Sequence, residues 1–123
     1  MKNIVLRIVI FLVFSMSGYI QASSESKKEI EHLKQYINNS ACVFTRNGVS
    51  YKGSEAVLHI IRKEEYFKDK IFTAEDFVRL AATKSEVSGK NYTVSCIQGG
   101  VENLGEWFLK ELIYYRAQKN SNK

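Results

Sequence analysis

The chain has 123 residues, 45% of them hydrophobic, and its 18 lysines and arginines outnumber its 13 acidic residues, giving a formal charge of +5. This length suits one domain of ordinary size. The positive excess is mild and does not argue for nucleic acid as a partner, because nucleic-acid-binding domains usually gather their basic residues on one face.

The first 22 residues, MKNIVLRIVIFLVFSMSGYIQA, begin with cationic residues, continue through an apolar stretch and end in small residues. This layout predicts a cleavable secretory signal, cut between Ala22 and Ser23. An uncleaved anchor is the alternative, but the apolar stretch is short of the roughly 20 residues that a transmembrane helix needs. Removing these 22 of the 123 residues, among them Lys2 and Arg7, would leave 101 residues with a charge of +3, predicted to form a single small domain over 23–123.

The first elements of that domain alternate a helix with a hairpin. Residues 24–39 are predicted to form a helix, because isoleucines and a leucine recur at helical spacing. The run ACVFTR, residues 41–46, has the composition of a strand. Asn47-Gly48 accepts the positive φ angles of a tight turn, so residues 49–52 are predicted to return as a short partner strand.

Two further helices follow the hairpin. Ser54 is predicted to cap a helix that runs to about Phe67 and divides into an apolar and a polar side. Its apolar side comprises Ala56, Val57, Leu58, Ile60, Ile61 and Phe67. Its polar side comprises Glu55, His59, Arg62, Lys63 and Tyr66. Thr73 with Asp76 resembles a capping box and opens a third helix, which is predicted to stop near Lys84.

The last part of the domain contains one strand and one helix. Residues 92–97, YTVSCI, alternate as a strand does and end at Gly99-Gly100. A final helix is predicted to start at Asn103, and the polar tail over about 117–123 is predicted to fray. The fold class is therefore α+β, with about four helices, a small, mostly antiparallel sheet and one disulfide.

The disulfide is predicted from export, because an even pair of cysteines in an oxidising compartment is most simply bonded. The pair is Cys42 and Cys96, which would tie the first strand to the last. A redox-active pair is disfavoured, since its cysteines are usually close in sequence. A zinc site that also used His32 and His59 fits no known ligand spacing, so no metal and no cofactor are predicted.

Four short stretches, FTRNG, EAVLH, TAEDF and SGKNY, occur in an order and spacing that resemble the YfeK-like family of small exported bacterial proteins, domain of unknown function 5329. The resemblance covers roughly residues 29–116. Matching positions are Phe44, Arg46, Asn47, Gly48, Glu55, Ala56, His59, Lys63, Thr73, Ala74, Glu75, Phe77, Ser85, Gly89, Lys90 and Tyr92. The family pattern has arginine where Ile61 stands and proline where Asn91 stands. The resemblance implies a bacterial, periplasmic protein and implies no activity or catalytic residue. Cleavage of the predicted signal would leave this protein soluble.

Polar residues at turns and on helix faces suggest a binding surface suited to an acidic periplasmic protein or an anionic envelope polymer. These residues are Arg46, Asn47, His59, Lys63, Lys84 and Lys90. The alternative is structural, with Arg46 pairing with Glu55 or Glu75 to fasten the hairpin to a helix.

A catalytic alternative is a small envelope hydrolase. Glu55 and His59 are one helical turn apart, so the carboxylate could orient the imidazole, and Ser85 could act as a nucleophile. Ser85 lies in neither a G-x-S-x-G nor an S-x-x-K motif. The sequence therefore favours a non-enzymatic interaction module over the hydrolase.

Overall fold

The structure is a computed structural model and describes residues 22–123, so the predicted signal over 1–22 lies outside the described residues except for Ala22. Four α-helices, four strands and a short 3₁₀ turn make up this part of the chain. They are α1 (Ser24–Asn38), β1 (Val43–Arg46), β2 (Val49–Tyr51), α2 (Gly53–Tyr66), the 3₁₀ turn (Lys68–Lys70), α3 (Ala74–Ala81), β3 (Thr93–Cys96), β4 (Gly100–Asn103) and α4 (Leu104–Ser121). The predicted α+β class is confirmed.

The sheet has the strand order β2-β1-β3-β4, and every neighbouring pair is antiparallel. Phe44 on β1 lies opposite Val94 on β3, and both side chains are buried on the face that the helices cover. Val43 and Ser95 pair on the opposite, exposed face. The alternation of buried and exposed residues follows from the two-residue period of a strand.

The predicted disulfide is present and continues the β1–β3 register. Val43 pairs with Ser95, so Cys42 and Cys96 are the next facing positions, with their Cα atoms 4.5 Å apart. The bond closes a loop of 54 residues. In the chain-entropy model such a closure stabilises the fold by about 4 kcal/mol.

The helical core is made of side chains from α1, α3 and α4. Leu33, Ile37, Phe77, Phe108 and Leu112 are almost completely buried. Burial of a large apolar side chain stabilises the folded state by roughly 1.5–3 kcal/mol, so this cluster is the main source of cohesion.

Several predicted boundaries and faces were wrong. Helix α2 starts at Gly53 after Lys52, one residue before the predicted cap Ser54, because its first turn packs against the end of α1. A Cβ at Gly53 would overlap the carbonyl oxygen of Ile37, so this close approach requires glycine. Leu58 and Ile61 were assigned to the apolar side, yet they are 52% and 41% exposed. The buried stripe of α2 is therefore narrower than its composition indicates.

The chain after α3 also differs from the prediction. Helix α3 ends at Ala81 rather than near Lys84, and Thr83 donates a hydrogen bond from Oγ1 to the carbonyl oxygen of Val78 at 2.7 Å. Strand β4 was not predicted, because its four residues contain one β-branched side chain, begin with a glycine and follow Gly99. Gly100 has a φ of +66°, a conformation that glycine adopts readily.

Helix α4 runs to Ser121, so residues 117–121 are helical where fraying was predicted. Two basic residues of α4 make three ion pairs that hold the end of the helix against its neighbours. Lys119 pairs with Glu25 at the start of α1. Arg116 donates to both oxygens of the buried Glu29 at 2.7 and 3.0 Å and to both oxygens of Glu75 at 2.9 Å.

Replacing Arg116 with Met should lower the free energy of unfolding by about 3 kcal/mol, because Glu29, whose side chain is 7% exposed, would lose its charged partner. Urea unfolding followed by the fluorescence of the only tryptophan, Trp107, measures the change. The control is Lys68→Met, which breaks the exposed pair with Glu65 and should change the free energy of unfolding much less, because surface ion pairs contribute little to stability. Equal effects of the two variants would contradict a structural role for Arg116.

Candidate functional site

The hairpin turn between β1 and β2 positions two of the predicted site residues. Asn47 and Gly48 both have positive φ angles, 51° and 79°, which is the backbone of the tight turn that Asn-Gly favours. The Asn47 side chain leaves the hairpin and contacts the loop before β3. Its Nδ2 donates to Ser85 Oγ at 3.1 Å, and its Oδ1 accepts from Ser88 Oγ at 2.5 Å. Asn47 therefore positions this loop against the end of β1.

Arg46 lies beside the histidine of α2. Arg46 Nη1 is 3.4 Å from His59 Nδ1, and the Tyr51 ring packs edge-on against the imidazole with the centroids 4.8 Å apart. Partial burial lowers the pKa of His59, and the positive charges of Arg46 and Arg62 lower it further. The ring is therefore neutral at pH 7, and its Nδ1 can accept the arginine hydrogen bond.

The alternative pairing of Arg46 with Glu55 or Glu75 is not what the structure contains. Glu55 accepts a hydrogen bond at 3.0 Å from the backbone N–H of Lys52 at the start of α2. Glu75 is held by Arg116. Within residues 22–123, no carboxylate lies within salt-bridge distance of Arg46.

Lys63 is held by the loop that follows α3. Its Nζ donates to the carbonyl oxygen of Lys84 at 2.6 Å, to the hydroxyl of Tyr92 at 3.2 Å and to Glu86 Oε1 at 3.4 Å. An ammonium group has three donors, so these contacts occupy all of them. Lys63 therefore fastens the loop to α2 and contributes to a binding surface mainly through its charge.

These residues surround an open cleft with a volume of about 400 Å³, which we name the Arg46 cleft. Its walls come from β1, α2, the loop before β3 and Tyr92. It is lined by Arg46, Lys63, Tyr66, Phe67, Ser85, Glu86, Val87 and Tyr92. The predicted binding residues Arg46 and Lys63 thus share one cavity. His59 contacts Arg46 but does not line the cleft. Asn47 anchors the loop before β3, and Lys90 lies exposed on that loop.

The sequence interpretation missed five lining residues, one of which, Phe67, was assigned only to the apolar side of α2. Tyr66 and Val87 are 81% and 92% exposed, Glu86 is the acidic member, and Tyr92 contributes its hydroxyl. Tyr66 was assigned only to the polar side of α2, and Val87 only to a turn. The available signal was an apolar residue within an otherwise polar turn, SEVSGKN.

The residues of the hydrolase alternative do not converge. Ser85 is 2% exposed, and its Oγ accepts from Asn47 Nδ2 and from the backbone N–H of Ser88 at 3.3 Å. Ser85 lines the Arg46 cleft, whereas His59 lines a separate cavity of about 20 Å³ beneath Arg46, and Glu55 lines neither. Their arrangement lacks the nucleophile–base contact that acyl-transfer chemistry needs.

The candidate metal ligands are also separated. Cys42 and Cys96 are bonded to each other, and His32 Nε2 lies 2.6 Å from Glu111 Oε2 between α1 and α4. Over the described range, no three or more His, Cys, Asp or Glu side chains are grouped so that they could hold a metal ion.

Comparison with known protein families identifies the family to which the chain belongs. The profile of a family of unknown function (DUF5329) matches residues 24–116, and the chain therefore belongs to this family. No curated protein and no solved structure matches the chain. Among the helices of residues 22–123, none has the length and apolar character needed to cross a membrane.

The lowered pKa of His59 predicts an effect of acid on stability. Because the unfolded chain binds the proton more readily, the free energy of unfolding should be highest above the ordinary histidine pKa of about 6.5 and should fall as the pH drops from there toward the folded-state value. Urea unfolding at about pH 7.5 and about pH 5.5 measures this loss. His59→Asn keeps an acceptor for Arg46 without titrating, so its loss should be smaller. An equal loss in both proteins would contradict the prediction.

Proposed function

We propose that this protein is a non-enzymatic binding module of the bacterial periplasm and that the Arg46 cleft receives an anionic group of its partner. Export is supported by the signal-like pattern of residues 1–22 and by the resemblance to YfeK-like proteins. An acidic protein or an anionic envelope polymer could supply the group.

The proposal that the cleft binds an anion rests on a difference between two arginines. Arg116 is bound by two carboxylates, so its charge is neutralised within the fold. Arg46 is partly buried on the wall of an open cleft, and its contact among the described side chains is a neutral imidazole at 3.4 Å. A neutral acceptor orients the guanidinium without cancelling its charge. A partly desolvated cation of this kind attracts an anion more strongly than one fully in water.

Other charges around the cleft reinforce this attraction. Arg62, Lys84 and Lys90 are exposed on the adjoining helix and loop, and Lys63 lies inside the cleft. Glu86 is the acidic residue of the lining and is engaged with Lys63. An excess of positive charge speeds association with an anion, and salt weakens the effect.

A titration of the purified 23–123 protein tests the anion site. Acetate and inorganic phosphate are added separately at low ionic strength while amide signals are followed by ¹H–¹⁵N NMR. Signals of residues lining the Arg46 cleft should move and saturate, because the anion binds at the guanidinium. The movement should be lost in Arg46→Gln and kept in Arg79→Gln, which removes an exposed arginine paired with Asp76 on α3. No saturable movement with either anion would contradict the site.

The proposal that the protein is exported is tested separately. Intact mass of the protein recovered from the bacterial periplasm should correspond to a chain that begins at Ser23 and contains one disulfide, because the signal is removed during secretion. A cytoplasmic protein that retains residues 1–22 would contradict export.

A further inference from the structure

We propose that the Arg46 cleft is selective for an apolar carboxylate, a singly charged carboxyl group with an apolar side chain attached nearby. A free apolar amino acid derivative and the carboxyl end of a peptide with an apolar last residue both have this chemistry. The proposal rests on the anion site described above and adds its ligand class.

The polar end of the cleft matches a carboxylate. A guanidinium presents its N–H groups in a planar fork, which fits the two oxygens of a carboxylate better than a point charge does. Arg46 uses Nη1 for the long contact with His59, so further donors remain for a ligand. Partial burial of Arg46 beside Tyr92 and Phe67 reduces competition from water.

The mouth of the same cleft is apolar. Tyr66, the last residue of α2, and Val87, in the loop before β3, are 81% and 92% exposed although their side chains are large and apolar. They come from separate segments and line one cavity, with the Phe67 ring edge-on to Tyr66 at 4.8 Å between centroids. A ligand that covered them would remove apolar surface from water, which favours binding. The volume of about 400 Å³ is within the usual range for small-molecule sites, roughly 300–1,000 Å³.

Inside the cleft, as distinct from its exposed surroundings, the charged lining residues are Arg46, Lys63 and Glu86, and this lining suits one negative charge better than several. All three donors of Lys63 are engaged, and Glu86 places a carboxylate in the lining. A phosphate or polyanion would bring added charge close to Glu86, and like charges repel. A monoanion can be bound by Arg46 alone while its apolar part contacts Tyr66 and Val87.

Five probes separate the elements of this proposal: acetate, inorganic phosphate, N-acetylphenylalanine, N-acetylphenylalanine amide and a short N-acetylated peptide with uncharged side chains whose last residue is phenylalanine with a free carboxylate. Dissociation constants are measured on the 23–123 protein by NMR titration. N-acetylphenylalanine should bind about tenfold more tightly than acetate, because its ring covers apolar surface of the cleft. Its amide should bind at least about tenfold more weakly than the acid, because the charge that Arg46 recognises is gone.

Two variants of lining residues test the proposed contacts: Tyr66→Ser should weaken ligand binding, and Glu86→Gln should strengthen it. Tyr66→Ser should remove the advantage of N-acetylphenylalanine over acetate, because the ring of the ligand loses its contact. Leu58→Ser, an exposed apolar change on α2 outside the lining, should preserve that advantage and the binding of both ligands. Glu86→Gln should tighten the binding of both carboxylates by about threefold, since a repelling charge is removed. A misfolded variant cannot bind more tightly, so this gain reports on the site itself.

The outcomes distinguish the proposal from the anion site on which it rests. Equal binding of acetate and N-acetylphenylalanine, or tighter binding of phosphate, would overturn the apolar-carboxylate class and leave the anion site standing. Equal binding of the acid and its amide would also overturn the class, and the anion site would then stand only on the loss of acetate binding in Arg46→Gln. No binding of any anion would overturn both. Tighter binding of the peptide than of N-acetylphenylalanine would identify a chain end as the source, and the reverse order a free small acid.

Discussion

The pairing of β1 with β3 is the constraint on which the rest of the structure depends. These strands are far apart in sequence, and α2, the helix that lines the Arg46 cleft, lies between them in the chain. The disulfide between Cys42 and Cys96 holds the two strands at one end of their pairing. At the other end Arg46 leaves β1 close to the loop that leads into β3, and the Asn47 amide bonds to that loop. The disulfide and the Arg46 cleft therefore lie at opposite ends of the same pair of strands.

The fold uses arginine in two different ways. Arg116 lies on α4 and joins this helix to α1 and α3 by binding the carboxylates of Glu29 and Glu75. The hydrogen bonds with these two carboxylates raise the pKa of Arg116 above its ordinary value. These ion pairs stabilise the fold, and they neutralise the charge of Arg116, so it can attract a ligand only weakly. Arg46 has a neutral imidazole as its neighbour, so its orientation is restrained while its charge is retained. This difference is electrostatic, and it separates a structural residue from a candidate binding residue.

Local patterns predicted much of the fold and part of the site. Helical spacing located all four helices, the Asn-Gly turn located the first hairpin, and export implied the disulfide. Strand β4 was missed because its residues have little strand preference, and pairing with β3 supplies the hydrogen bonds that hold it extended. The end of α4 was expected to fray, and ion pairs from Arg116 and Lys119 to other helices hold it instead. Such partners are remote in sequence and leave no local signal.

By itself, the sequence determined the α+β class, the paired cysteines and the presence of polar residues beside the first turn, because these follow from composition and short-range periodicity. Tertiary structure alone decided which of those polar residues could meet a ligand. It occupied the donors of Lys63 and the amide of Asn47 with internal partners, buried Ser85, and left Arg46 facing a cleft with Tyr66 and Val87. The physical reason is that a charge is available only if the fold has not already paired it. Pairing depends on distances between segments that the order of residues does not contain.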